Sequence, residues 1–83
     1  MTTTDELKEV GLSEYEADAY YALLKYGRQT GRELSERSKI PPTRVFDVLR
    51  MLLDKGLVEL IEQNPMLWTA IKPELGLKSM IER

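Results

Sequence analysis

Between Thr30 and Gly56 two helix-forming segments meet across the short run Ile40-Pro41, a pairing that many helical proteins contain. Thr30-Gly-Arg-Glu33 is a capping box, in which a hydroxyl and a carboxylate three residues apart satisfy free amides of the first turn. The helix it opens is expected over residues 30–38, with Leu34 as its main apolar anchor, and so short a helix is stable only when packed against something larger. Pro42 suits the first turn of the next helix, where its missing amide costs nothing, while Pro41 keeps Ile40 out of helical geometry. That second helix is expected over 42–55, with Val45, Val48, Leu49 and Leu52 in one arc, Leu53 at its margin, and Gly56 as the stop. Short helix, tight turn, longer helix is the helix-turn-helix arrangement.

The flanking sequence sharpens this reading. Leu57-Val-Glu-Leu-Ile-Glu62 and Leu67-Trp-Thr-Ala-Ile71 are β-prone, and Gln63-Asn-Pro65 between them is turn chemistry, so a hairpin is expected over 57–71. Trp68 suits the role of its anchor on the core, since aromatic residues favour half-buried strand positions. A hairpin directly after a helix-turn-helix makes a wing. Upstream, a short opening helix over 5–10 is capped by Thr4 and stopped by Gly11. Ser13-Glu-Tyr-Glu16 is a second capping box, opening a helix over 13–26 with Ala17, Tyr20, Tyr21 and Leu24 at the spacing of one buried face. A last helix is expected over 73–83, weakened by Gly76. The fold class is therefore mainly α with a small β-hairpin, a single winged helix-turn-helix domain over 1–83.

Composition narrows the chemistry. The chain has no cysteine and no histidine, which removes disulfides, thiolate chemistry, Cys/His zinc sites and imidazole catalysis. No enzyme, cofactor or metal is expected, because the carboxylates are scattered over polar helix faces. No apolar run approaches the roughly 20 residues that span a bilayer, and the start of the chain has no secretory character, so a cytoplasmic protein without a membrane partner is expected. The net charge is −2. Residues 28–55 nevertheless carry seven basic and four acidic side chains, whereas residues 1–27 carry two basic and six acidic. Phosphate contacts belong in the central block.

On the helix over 42–55, Thr43, Asp47, Arg50 and Asp54 face away from the apolar arc, flanked by Arg44 and Phe46. Arg44 and Arg50 have the donors to bind guanine bidentately or to neutralise phosphate, and Thr43 to meet a phosphate or a thymine methyl. Phe46 either roofs the core or contacts a thymine methyl. Asp47 either accepts from a cytosine amino group or pairs with Arg50. Thr30, flanked by Arg28 and Arg32, stands where the first helix of such a pair meets the DNA backbone, although capping accounts for it equally.

These residues also carry a resemblance. Gly11-Leu-Ser-Glu-Tyr-Glu-Ala17, Tyr20, Ala22-Leu-Leu24, Ile40-Pro41, Val45-Phe-Asp-Val-Leu49 and Lys55-Gly-Leu-Val58 resemble the TrmB-type winged helix regulators of archaea and bacteria, over nearly the whole chain. The resemblance implies DNA binding, with Thr43 and Arg44 matching a hydroxyl and a basic residue early in the recognition helix, and Phe46 standing where tyrosine is frequent. Family wings commonly carry basic residues; Glu62-Gln-Asn-Pro-Met-Leu-Trp68 has none. Longer members carry a C-terminal effector domain, often for sugars, which this chain is too short to hold, so no small-molecule effector site is expected. Pro65-Met-Leu-Trp68 also resembles the wing of Z-DNA-binding domains, but Phe46 and Arg50 stand at the places of the asparagine and tyrosine those domains use.

The resulting expectation is a sequence-specific, double-stranded DNA-binding transcriptional regulator. It acts as a homodimer, since one recognition helix reads few base pairs. The opening helix or the final one (Leu75, Leu77, Met80, Ile81) would supply the dimer contact. The alternative from another class is a winged helix that docks a transcription or nucleoprotein partner without reading DNA; the uncharged wing and overall acidity favour it.

Overall fold

The computed structural model describes residues 4–9 and 11–71. In chain order it contains α1 (Thr4–Glu9), α2 (Glu14–Tyr26), α3 (Gly31–Arg37), α4 (Val45–Asp54), β1 (Val58–Ile61) and β2 (Leu67–Ala70). Val10 and the helix expected over 73–83 lie outside the described residues, and with them that proposed dimer contact.

Both capping boxes form. Ser13 Oγ accepts the Glu16 amide at 3.2 Å while the Ser13 amide donates to Glu16 Oε1 at 2.8 Å. Thr30 Oγ1 accepts the Glu33 amide at 3.1 Å while the Thr30 amide donates to Glu33 Oε1 at 2.9 Å. Gly27 ends α2 at φ 82°, a left-handed conformation that costs glycine nothing, and its amide reaches Leu23 O at 3.0 Å.

The buried face of α2 is broader than its spacing predicts and rotated. Ala17 and Tyr20 are buried, joined by Ala19, Ala22 and Leu23, whereas Tyr21 and Leu24 are only partly covered. The reason is that α2 contacts α1, α3, α4 and β2, so one stripe is not enough. The alanines admit close neighbours, and Tyr21 stays at the edge with the Lys25 ammonium 5.9 Å from its ring centre.

A second difference concerns the turn. The helix over 42–55 begins in the structure only at Val45, with Arg44 as its cap residue, and ends at Asp54. The amides of Arg44 and Val45 both donate to Pro41 O, at 2.9 and 3.2 Å, which closes residues 41–45 into a single turn. Pro41 and Pro42 lack amides, and no side chain caps the helix, so the ladder starts late. Thr43 and Arg44 therefore project from a turn rather than from the helix. Ser38 Oγ donates to Leu34 O at 2.7 Å and Ser35 Oγ to Ile40 O at 2.9 Å, pinning the approach to this turn, and Ile40 anchors it in the core.

β1 and β2 pair antiparallel with Leu60 opposite Trp68, and Ile71 N–H continues the pairing to Leu57 O at 2.9 Å. Gln29, in the segment joining α2 to α3, adds a one-residue bridge: its backbone exchanges hydrogen bonds of 3.1 and 2.8 Å with Trp68. The wing is thereby fastened to the base of the helix-turn-helix. Trp68 is buried against the core, and Tyr20 donates its hydroxyl to Ile71 O at 2.6 Å. This is a winged helix-turn-helix: mostly helical, with one two-stranded antiparallel hairpin.

Candidate nucleic-acid interface

The inner face of α4 buries Val45, Val48, Leu49 and Leu52, the four residues that the sequence pattern sets inward. Its position is thereby fixed, since a ten-residue helix owes most of its stability to such a stripe. The opposite side leaves Phe46, Asp47 and Arg50 exposed, and Thr43 and Arg44 are exposed in the turn before it. Among the described residues, no ion pair or hydrogen bond holds the side chains of Arg28, Arg44 or Arg50, so these guanidinium groups remain available to phosphate or to base edges.

Three of the candidate residues line two separate hollows. Arg32 and Phe46 line one hollow of about 310 Å3, together with Ser35, Glu36, Pro42 and Val45. Arg44 lines a different hollow of about 330 Å3 between α2 and α4, beside Ser13, Tyr15, Val48 and Met51. Arg28 is exposed in the connection between α2 and α3, and Arg32 is a highly exposed residue of α3 whose Nε lies 3.7 Å from Glu36 Oε2. An exposed pair at this separation contributes little and leaves the arginine free to change partners.

Thr30 has its amide and hydroxyl committed to Glu33, and the Thr30 amide is the main cause that holds the Glu33 carboxyl below its ordinary range. The wing tip between the strands presents Glu62, Gln63, Asn64, Pro65 and Met66, all exposed and none of them cationic. Trp68 points its bulk into the core, so the tryptophan of the wing is not part of the outer surface.

Two residues of the site carried no chemical signal in the sequence. Gln29 is fully buried, and its side-chain amide donates to Ala22 O at 3.1 Å and Gly27 O at 3.2 Å, closing the end of α2. Gly31 lies under the Phe46 ring: a Cβ built there would stand 2.9 Å from ring atoms Cε1 and Cζ. Phe46 thus packs against the protein without being buried by it. It rests on α3 through one edge and remains 53% exposed.

No helix of the described residues is long and apolar enough to cross a membrane. Also among the described residues, no group of three or more carboxylate side chains is placed to hold a metal ion.

The profile of the family described as "Sugar-specific transcriptional regulator TrmB" matches residues 7–74. The HTH-type sugar sensing transcriptional regulator TrmBL1 of Pyrococcus furiosus is 38% identical over 77 residues, 93% of this chain and 23% of the relative. The DNA-binding HTH-type transcriptional repressor TrmBL2 of Thermococcus kodakarensis is 38% identical over 71 residues, 86% of this chain and 27% of the relative. Among solved structures, an archaeal chromatin protein, TrmBL2, described as showing a novel mode of DNA binding, superposes with a TM-score of 0.90 at 33% identity. That match covers 96% of this chain and 32% of the other. The chain therefore spans about a quarter to a third of the length of these relatives. By the family match over most of its length and by a fold shared nearly throughout, this chain belongs to the TrmB family of transcriptional regulators.

Proposed function

We propose that the chain is a cytoplasmic, sequence-specific regulator that binds double-stranded DNA with α4 and the turn before it in the major groove, two copies acting as a homodimer. One observation carries this reading. Phe46, Asp47 and Arg50 are exposed on a helix whose other face is locked into the core, with Thr43 and Arg44 exposed in the turn before it, in a fold shared with a DNA-binding chromatin protein. Residues near the amino end of such a helix reach base edges. Arg44 and Arg50 take guanine or phosphate, and Asp47 takes a cytosine amino group or restrains Arg50. Arg28 and Arg32 contact phosphates beside the groove, with the capped start of α3 at Thr30 near the same strand. The homodimer follows from information content: one such helix contacts few base pairs, and two-fold pairing doubles the readout.

Fluorescence anisotropy of labelled genomic duplexes, titrated at several salt concentrations, tests the DNA reading. Log affinity is expected to fall linearly with log salt, by about 0.9 for each phosphate neutralised. Undetectable binding at low salt would overturn it in favour of a docking module for a protein partner, which a wing tip without cations supports. Sedimentation at micromolar concentration, with and without DNA, tests the dimer; a monomer mass in both would exclude it.

A further inference from the structure

Resting on the DNA reading above, we infer that Phe46 is a specificity residue that reads the 5-methyl group of thymine, and that Gly31 positions its ring. Phe46 is the second residue of α4, at the end of the helix that enters the groove, and it leaves 53% of its surface in water. A phenyl ring so exposed forgoes much of the burial it would have in a core. Its inner edge is nevertheless seated. A Cβ at Gly31 would lie 2.9 Å from Cε1 and Cζ and 3.6 Å from Cδ1, so the ring occupies space that any side chain at 31 would claim. Beside the ring opens the hollow of about 310 Å3 whose lining includes Pro42 and Val45, with Arg32 also on its wall.

The chemistry of the major groove then selects the ligand. Base edges there present hydrogen-bond donors and acceptors, with one apolar exception in unmodified DNA, the thymine methyl. A phenyl ring pressed against any other edge desolvates polar groups without pairing them. Against the methyl it buries apolar surface on both partners. The seat on Gly31 matters because a ring fixed at one height discriminates, whereas one free to swing away from a polar edge does not.

The test uses a duplex selected by the wild-type chain from a random pool, synthesised either with thymine or with uracil, which lacks only the methyl. Uracil is expected to weaken binding about fourfold for each methyl the ring covers, the equivalent of burying one methyl-sized group, with the salt slope unchanged. Phe46→Ala is expected to bind both duplexes equally while keeping the salt slope. Gly31→Ala, with folding checked by circular dichroism, is expected to displace the ring and shrink the thymine-to-uracil ratio. Equal wild-type binding to both duplexes, or a thymine preference that survives Phe46→Ala, overturns this inference alone. An unchanged ratio in Gly31→Ala overturns the positioning role. No salt-dependent binding to any duplex overturns the DNA reading and this inference together.

Discussion

Glu16 Oε2 lies 2.8 Å from Lys55 Nζ, so the carboxylate that closes the capping box of α2 also holds the residue that caps the far end of α4. One side chain thus ties the start of α2 to the end of α4. The Glu16 side chain is almost wholly buried and that of Lys55 only partly, which places the pair between two regimes. Lys55→Met is expected to destabilise the domain by more than the roughly 1 kcal/mol of an exposed pair and less than the ~3–5 kcal/mol of a fully buried one. Urea unfolding would show it as a lower midpoint with an unchanged slope.

The same carboxylate predicts a response to acid. Burial raises the Glu16 pKa, but the Lys55 ammonium and the amide and hydroxyl of Ser13 together outweigh it, leaving the group below its ordinary 4.5. A depressed folded-state value means that the carboxylate's contribution is fully present above about pH 4.5 and is lost as pH falls through the folded value. Glu16→Gln is therefore expected to lower stability at neutral pH and to flatten this part of the acid limb. A midpoint-versus-pH series on both proteins checks the sign.

Asp18 behaves in the opposite sense. Burial and the neighbouring Glu14 raise its pKa, against smaller opposing effects of Lys8 and Lys39. Folding therefore works against its ionised form, and Asp18→Asn is expected to stabilise the domain slightly at neutral pH, with the gain vanishing as pH drops below the usual aspartate range. Thermal midpoints at neutral and acidic pH distinguish this from a general effect of the substitution.

Gln29 joins α2 to the wing. Gln29→Ala removes two hydrogen bonds, to Ala22 O and Gly27 O, from a fully buried position. The expected loss is ~1–2 kcal/mol for the two hydrogen bonds, offset in part because the substitution also removes the buried Gln29 Oε1, which has no hydrogen-bond partner. Trp68→Ala is expected to cost more, ~3–5 kcal/mol, because it empties a core position that the hairpin uses to attach. Chemical denaturation ranks the two.

The loss of Tyr20's hydroxyl is a finer probe of the same attachment. Tyr20→Phe keeps the ring packed and removes the 2.6 Å bond to Ile71 O, at an expected cost of ~1 kcal/mol. Amide exchange should rise at Ile71, whose own amide pairs with Leu57 O at 2.9 Å, before it rises in α4.

Local signals were legible where the physics is local. Ser13 with Glu16 and Thr30 with Glu33 form capping boxes because three residues is the reach of a side chain back to its own helix start. The stripe Val45, Val48, Leu49 and Leu52 is buried because the helical period puts it on one side. The start of α4 was misplaced for a reason equally physical. Pro42 is compatible with a first helical turn, but whether the turn continues depends on where the Pro41 carbonyl finds its donors, and here both Arg44 and Val45 supply them.

The sequence by itself therefore determined the order and kind of the elements among the described residues, the inward face of α4, and the basic block that supplies the candidate DNA contacts. Only the tertiary structure decided that the Glu16 carboxylate also holds Lys55, that Gln29 holds Trp68, and that Gly31 gives Phe46 its seat. Those relationships join residues from separate elements, and their distances are set by how the helices pack rather than by any spacing along the chain.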